Sequence, residues 1–226
     1  MRRSHSPARP GDSQAAPCQC TPPLGGWRAP AGTFGYTDGW IFLSLLFIPI
    51  FIIGIVLFIK APDLLKSRLD SKETEKTQKG VVTYSALIFL LGFITAGLDF
   101  RLGWSDIPNI IKIIASIIFL SSYSVYAEVM RENAYLSRTI KVEESQKVID
   151  TGLYSIIRHP MYTATIFLFI MIPLILGSLI SFIIFLAYPF LIAIRIKNEE
   201  QYLSQRLDGY IEYTKKVKYR LIPFIW

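Results

Sequence analysis

Four apolar runs dominate this chain, at positions 40–59, 81–98, 110–130 and 161–194, and each is long enough to cross a lipid bilayer. A spanning helix takes about 20 apolar residues at a rise of about 1.5 Å per residue. The last run is too long for one crossing. Pro173, Gly177 and Ser178 stand near its middle, where a tight helical hairpin turns, and each arm is then just long enough. The sequence therefore predicts an all-α integral membrane protein of about five transmembrane helices, the last two paired as a hairpin. Composition agrees: 52% of the 226 residues are hydrophobic and the mean hydropathy is +0.40, well above a soluble chain of this size.

The net charge of +7 raises the question of a nucleic-acid surface, and its placement answers it. Lys60, Lys66, Arg68, Lys72, Lys76 and Lys79 fill the first loop, and Arg131, Arg138, Lys141, Lys147 and Arg158 fill the third. Arg195, Lys197, Arg206, Lys215, Lys216, Lys218 and Arg220 fill the C-terminal tail, while the second loop holds Arg101 alone and the hairpin tip holds no cation. This alternation is the positive-inside pattern. It predicts that the third loop and the tail lie on the cytoplasmic side, where the basic excess meets anionic lipid and not nucleic acid.

Three regions follow: 1–39, 40–130 and 131–226. The first is rich in Pro, Gly, Ser and Ala without a periodic apolar pattern, and reads as a disordered extension. It has no signal-peptide pattern. Its arginines oppose the outside N-terminus that an odd number of spans requires. Cys18 and Cys20, the only cysteines, both lie there, and two thiols with no third ligand nearby make a poor metal site. No metal is expected.

The third region carries the chemistry. Gly152-Leu-Tyr-Ser-Ile-Ile-Arg-His-Pro-Met-Tyr162 precedes the hairpin, and Arg195-Ile-Lys-Asn-Glu-Glu200 follows it. Charged side chains beside lipid are costly, which makes them functional candidates. A residue before proline is driven out of helical geometry, whereas proline suits the first helical position. His159 is thus the expected N-cap and Pro160 the first residue of the fourth membrane helix. The free N–H groups of Met161 and Tyr162 would then face any anion at the helix end. Arg195 and Glu199 share a helix face four residues apart. The plain alternative is an ion pair in the weaker, cation-first order. Gln146, Val148 and Tyr154 suit an extended segment folded over the site. The tail alternates basic and aromatic residues around Tyr210 and Tyr213, as an amphipathic segment at a membrane surface does, and is expected to roof the pocket.

The whole pattern, G-x-Y-x-x-x-R-H-P-x-Y, then an apolar hairpin, R-x-x-x-E-E-x-x-L and a Y-x-x-Y tail, resembles the isoprenylcysteine carboxyl methyltransferase family of integral membrane enzymes, in a bacterial-type form. The likeness covers roughly 143–226. It implies S-adenosylmethionine as methyl donor, contacted by Gln146, Lys147, Val148, Ile149, Tyr154, His159, Pro160, Met161, Tyr162 and Glu199. Arg195 falls where the family holds the substrate carboxylate. Ala164 stands where the family often has glycine, and Gln146 where eukaryotic members have histidine. The implied acceptor is a lipophilic or lipidated carboxylate.

Three other readings stay open. N-methylation of a phospholipid-type amine would need a base, for which Glu200 or His159 would serve. An NADPH-dependent sterol-type reductase shares R-H-P-x-Y and the closing Tyr219-Arg-Leu-Ile-Pro, but carries R-D-E-x-x-C where this chain has Arg195-Ile-Lys-Asn-Glu-Glu. A scaffold or transporter would be supported by charge at mid-span, and the first three runs are nearly free of it. The glycine fingerprint of a soluble dinucleotide fold is absent from the sequence.

Overall fold

The computed structural model describes residues 31–69, 76–133, 135 and 146–226. Eight α-helices follow in order: α1 (Thr37–Lys60), α2 (Pro62–Leu69), α3 (Lys76–Leu102), α4 (Asn109–Glu132), α5 (Pro160–Ile175), α6 (Leu179–Phe185), α7 (Tyr188–Arg206) and α8 (Tyr210–Lys216). A 3₁₀ turn at Gly152–Ser155 precedes α5. Residues 1–30 with Cys18 and Cys20, and 136–145 with Arg138 and Lys141, lie outside the described residues.

Among the described residues, four helical stretches are long and apolar enough to cross a membrane: Thr37–Lys60, Gln78–Leu102, Asn109–Glu132 and the run Leu179–Arg206, with α5 as a shorter apolar helix. This is an all-α integral membrane protein. Helix α1 turns most of its surface outward, with Ile48, Phe51, Ile52, Ile55, Phe58 and Ile59 all exposed, as lipid-facing side chains are. It starts at Thr37, inside the stretch assigned by composition to the extension. The reason is tertiary: the Tyr36 hydroxyl donates to the Leu176 carbonyl, and Asp38 pairs with Lys112 at the start of α4.

The hairpin turns where its sequence allows. Gly177 has φ +77°, a left-handed conformation that glycine adopts without a Cβ penalty. Ser178 then caps α6, its side chain accepting from the Ser181 N–H at 3.1 Å. Leu186 and Ala187 break the returning arm into α6 and α7 just before Pro189, a break that the hydropathy of this run does not announce. Around the hairpin, α5 packs along α4 and α3 packs on α6 and α7. Gly92 lets α3 approach closely: a Cβ there would lie 2.3 Å from the Phe185 ring. Phe119, Ile172, Ile175 and Phe185, together with Phe42 and Leu168, fill the core between these helices. Edge-on contacts join Phe89, Phe169, Phe185 and Tyr188.

Candidate active site

Where α4 and α7 end and α5 begins, three chain segments converge. The first is the glycine turn. Gly152 has φ +52°, and a Cβ on it would sit 1.6 Å from the Glu132 carboxylate at the end of α4. That carboxylate accepts the Leu153 N–H at 3.0 Å, and the neighbouring Asn133 donates its side-chain amide to the Tyr154 hydroxyl at 3.1 Å. The end of α4 thus fixes Tyr154, which also packs with Leu64 of α2, Val129 and Met130. The second segment is Arg158-His159-Pro160. His159 is the N-cap residue of α5, with φ −128° and ψ 60°, and Pro160 opens the helix as its neighbour dictates. The third is the tail, whose Tyr219 and Arg220 carbonyls accept the N–H groups of Arg158 and His159, each at 2.9 Å. Thr163 adds a bond to the Leu221 carbonyl at 2.9 Å.

Glu200 locks these segments together. It is 8% exposed, and its carboxylate meets Arg158 Nη1 at 3.0 Å, His159 Nε2 at 3.2 Å and Arg220 Nε at 2.8 Å. One residue earlier on α7, Glu199 turns another way. It accepts the Tyr162 hydroxyl at 2.5 Å, and that same hydroxyl oxygen accepts Arg195 Nε at 2.8 Å. The one-turn spacing of Arg195 and Glu199 therefore works through a third residue, Tyr162 of α5, which links them.

A cavity of about 860 Å³, counting its open mouth, lies against this assembly. Gln146, Lys147, Val148, Ile149, Tyr154, His159, Met161, Tyr162, Arg195 and Glu199 all line it. Residues 146–150 have no regular secondary structure, and the first four of them run along its wall. Pro160 is not among the lining residues; it is fully buried at the start of α5, where it sets the helix direction. Asn133, Tyr135, Arg158, Leu203, Leu207, Tyr210 and Tyr213 complete the wall. Sequence reasoning placed Tyr210 and Tyr213 in a roof but missed Glu132 and Asn133. Their signal was a polar pair closing an apolar span.

Helix α8 supplies the roof. The Tyr213 hydroxyl donates to the Tyr154 carbonyl at 2.8 Å, and Val148 and Leu203 pack with Leu207, Tyr210, Tyr213 and Val217. Burial pushes the Tyr210 and Tyr213 hydroxyls well above the usual tyrosine range, with Glu200 adding to the effect on Tyr210 and Tyr154 to that on Tyr213. Both are neutral at physiological pH. Among the described residues no three His, Cys, Asp or Glu side chains come together as metal ligands. Chemically, the cavity offers aromatic walls, the guanidinium groups of Arg158 and Arg195 and the Glu199 carboxylate.

Residues 112–205, from the first turn of α4 to the end of α7, match the model of the isoprenylcysteine carboxyl methyltransferase (ICMT) family. Over this stretch, which is less than half of the chain, the sequence is similar to that family of methyltransferases. The matched stretch contains the glycine turn, the Arg158-His159-Pro160 segment, the hairpin and both glutamates, whereas α8 and the tail lie beyond it. No curated protein matches the sequence.

Proposed function

We propose that the protein transfers a methyl group from S-adenosylmethionine to the carboxylate of a lipophilic, isoprenylcysteine-like acceptor at the cytoplasmic face of the membrane. The observation that carries this reading is the Arg195–Tyr162–Glu199 linkage on the wall of a cavity of about 860 Å³ at a membrane helix start. The residues present fit such a donor: tyrosine faces suit a sulfonium cation, and Tyr210 leaves a buried hydroxyl without a partner among the described residues. The basic residues concentrated at this end support the cytoplasmic assignment.

When bound, the sulfonium supplies an already activated methyl group for in-line displacement. Arg195 holds and orients the acceptor carboxylate, and Tyr162 sets the direction of the Arg195 guanidinium by accepting from Nε. Glu199 faces the donor. The tyrosine roof and the greasy hairpin exclude water, so alignment and desolvation carry the rate. A carboxylate with a pKa of about 4 is ionised at neutral pH and requires no base. The two candidate bases for amine methylation are otherwise employed: Glu200 is held by Arg158 and Arg220, and His159 Nε2 faces Glu200. This favours O- over N-methylation.

The test begins with calorimetric binding of S-adenosylhomocysteine to detergent-purified protein, with NADPH in parallel. Saturable binding of the first alone is expected; binding of NADPH alone would overturn the reading in favour of the reductase. Arg195→Ala should then raise the acceptor KM by about 10- to 100-fold, the worth of a charge-assisted hydrogen bond, and leave the acceptor chemistry of Arg195→Lys between the two. An unchanged KM would remove Arg195 from the acceptor site.

A further inference from the structure

Tyr210 and Tyr213 sit on one short helix, line one cavity and are both buried, at 4% and 6% exposure. They differ in one respect. The Tyr213 hydroxyl donates to the Tyr154 carbonyl at 2.8 Å, whereas the Tyr210 hydroxyl is buried with no hydrogen-bond partner among the described residues. A buried hydroxyl left unpaired is unfavourable, and phenylalanine would fill the same space without that cost. Packing of the free protein therefore gives no reason for the oxygen on Tyr210.

A second orphan stands on the same wall. Arg158 gives Nη1 to Glu200 and Nη2 to the Lys218 carbonyl, and its Nε is buried without a partner among the described residues. The wall also carries Glu199, whose Oε2 accepts Tyr162. An unused N–H donor, an unused hydroxyl and a carboxylate together complement a ligand that brings an anion and a cation side by side. An α-amino acid is such a group.

We propose that the Tyr210 hydroxyl and Arg158 Nε are binding contacts for the amino-acid end of the methyl donor, made only when the cavity is filled. This rests on the S-adenosylmethionine reading above. Tyr210 stands on the roof helix α8, outside the matched residues 112–205. Being protonated at all physiological pH values, the hydroxyl acts as a neutral donor to the carboxylate.

The experiment compares wild type, Tyr210→Phe and Tyr213→Phe by thermal melting without ligand and by calorimetry with two probes. S-Adenosylhomocysteine carries the amino-acid end; 5′-methylthioadenosine keeps the nucleoside and thioether and lacks it. Tyr210→Phe should lose about tenfold in affinity for S-adenosylhomocysteine, bind methylthioadenosine as wild type does, and melt at the same temperature or higher. Tyr213→Phe should melt lower, since the Tyr154 carbonyl loses its donor. Equal affinity of wild type and Tyr210→Phe for S-adenosylhomocysteine would overturn the proposal while leaving the methyltransferase reading intact. So would an equal loss for both probes, or a lower melting temperature of free Tyr210→Phe. A wild type that binds neither probe would remove that reading and this contact with it.

Discussion

The two ends of the helical bundle both bury charge, and they dispose of it differently. At the end away from the cavity, Asp99 of α3 is 1% exposed. Its carboxylate accepts the Ser105 N–H and hydroxyl, each at 2.7 Å, and the Ser178 hydroxyl at 2.5 Å. Ser178 accepts in turn from Ser181 N–H, and Ser181 donates to the Gly92 carbonyl at 2.9 Å. The acid there ties α3, the α3–α4 loop and the hairpin turn into a closed network. At the cavity end, Glu200 is also buried and held by its partners, but Glu199 beside it, Arg195 and Tyr210 line the cavity. Burial of charge near lipid does not by itself mark function. Charge and hydroxyls that meet a cavity, beside others satisfied within the chain, do.

Removing the enclosed acid at the cavity end should have the largest effect on stability. Glu200→Ala leaves Arg158 and Arg220 without their counter-charge and the buried His159 Nε2 without its partner, and truncating one partner of a buried ion pair costs about 3–5 kcal/mol. The tail should loosen as well, since Glu200 joins Arg220 to the start of α5. Thermal melting in detergent, with limited proteolysis of the tail, reads both effects. Wild-type melting with a protected tail would show that the backbone bonds of Arg158 and His159 to the tail suffice without the carboxylate. Glu200→Gln, which keeps an acceptor but loses the charge, should fall between.

The corresponding change at the far end sharpens the contrast. Asp99→Ala strands one N–H and two hydroxyls in a buried site, a loss of about 2–3 kcal/mol. Affinity for S-adenosylhomocysteine in the folded fraction should be unchanged. Calorimetry on the purified variant checks this, and a clear loss of affinity would break the distinction between the two ends.

Much of this contrast could be read before folding, and some of it could not. Bilayer thickness sets helix length, so hydropathy located the membrane helices: the run 40–59 became Thr37–Lys60, and 110–130 became Asn109–Glu132. Glycine and serine marked the hairpin turn because only local geometry is at stake there. The His159–Pro160 helix start was legible for the same reason. What the sequence hid was direction and distance. Glu199 and Glu200 are adjacent letters, and only the helical rotation between them sends one to the cavity wall and the other to two arginines and a histidine. Tyr162 reaches Arg195 and Glu199 across 33 and 37 positions, and Ser178 reaches Asp99 across 79. Glu132 braces the Gly152 turn and went unread in the sequence, because its partner is a backbone N–H that no side-chain pattern records.

The smallest effect is expected where the tail is tied down in the open. Lys216 of α8 meets Asp150 at 2.7 Å, beside the segment that lines the cavity, but their side chains are 65% and 44% exposed. The lysine holds the Asp150 carboxyl below its usual value. A carboxyl depressed in the folded state contributes stability that is present above its unfolded pKa and is lost as pH falls through the folded value, here below about pH 4. Water and salt screen such a pair. Lys216→Ala should therefore melt like wild type and bind S-adenosylhomocysteine equally well at neutral pH and physiological salt, with any difference confined to low ionic strength. Melts at two salt concentrations decide it. If Lys216→Ala instead released the tail as Glu200→Ala is expected to, the tail would be held from the solvent side, and the buried Glu200 cluster would be a passenger in the closed roof.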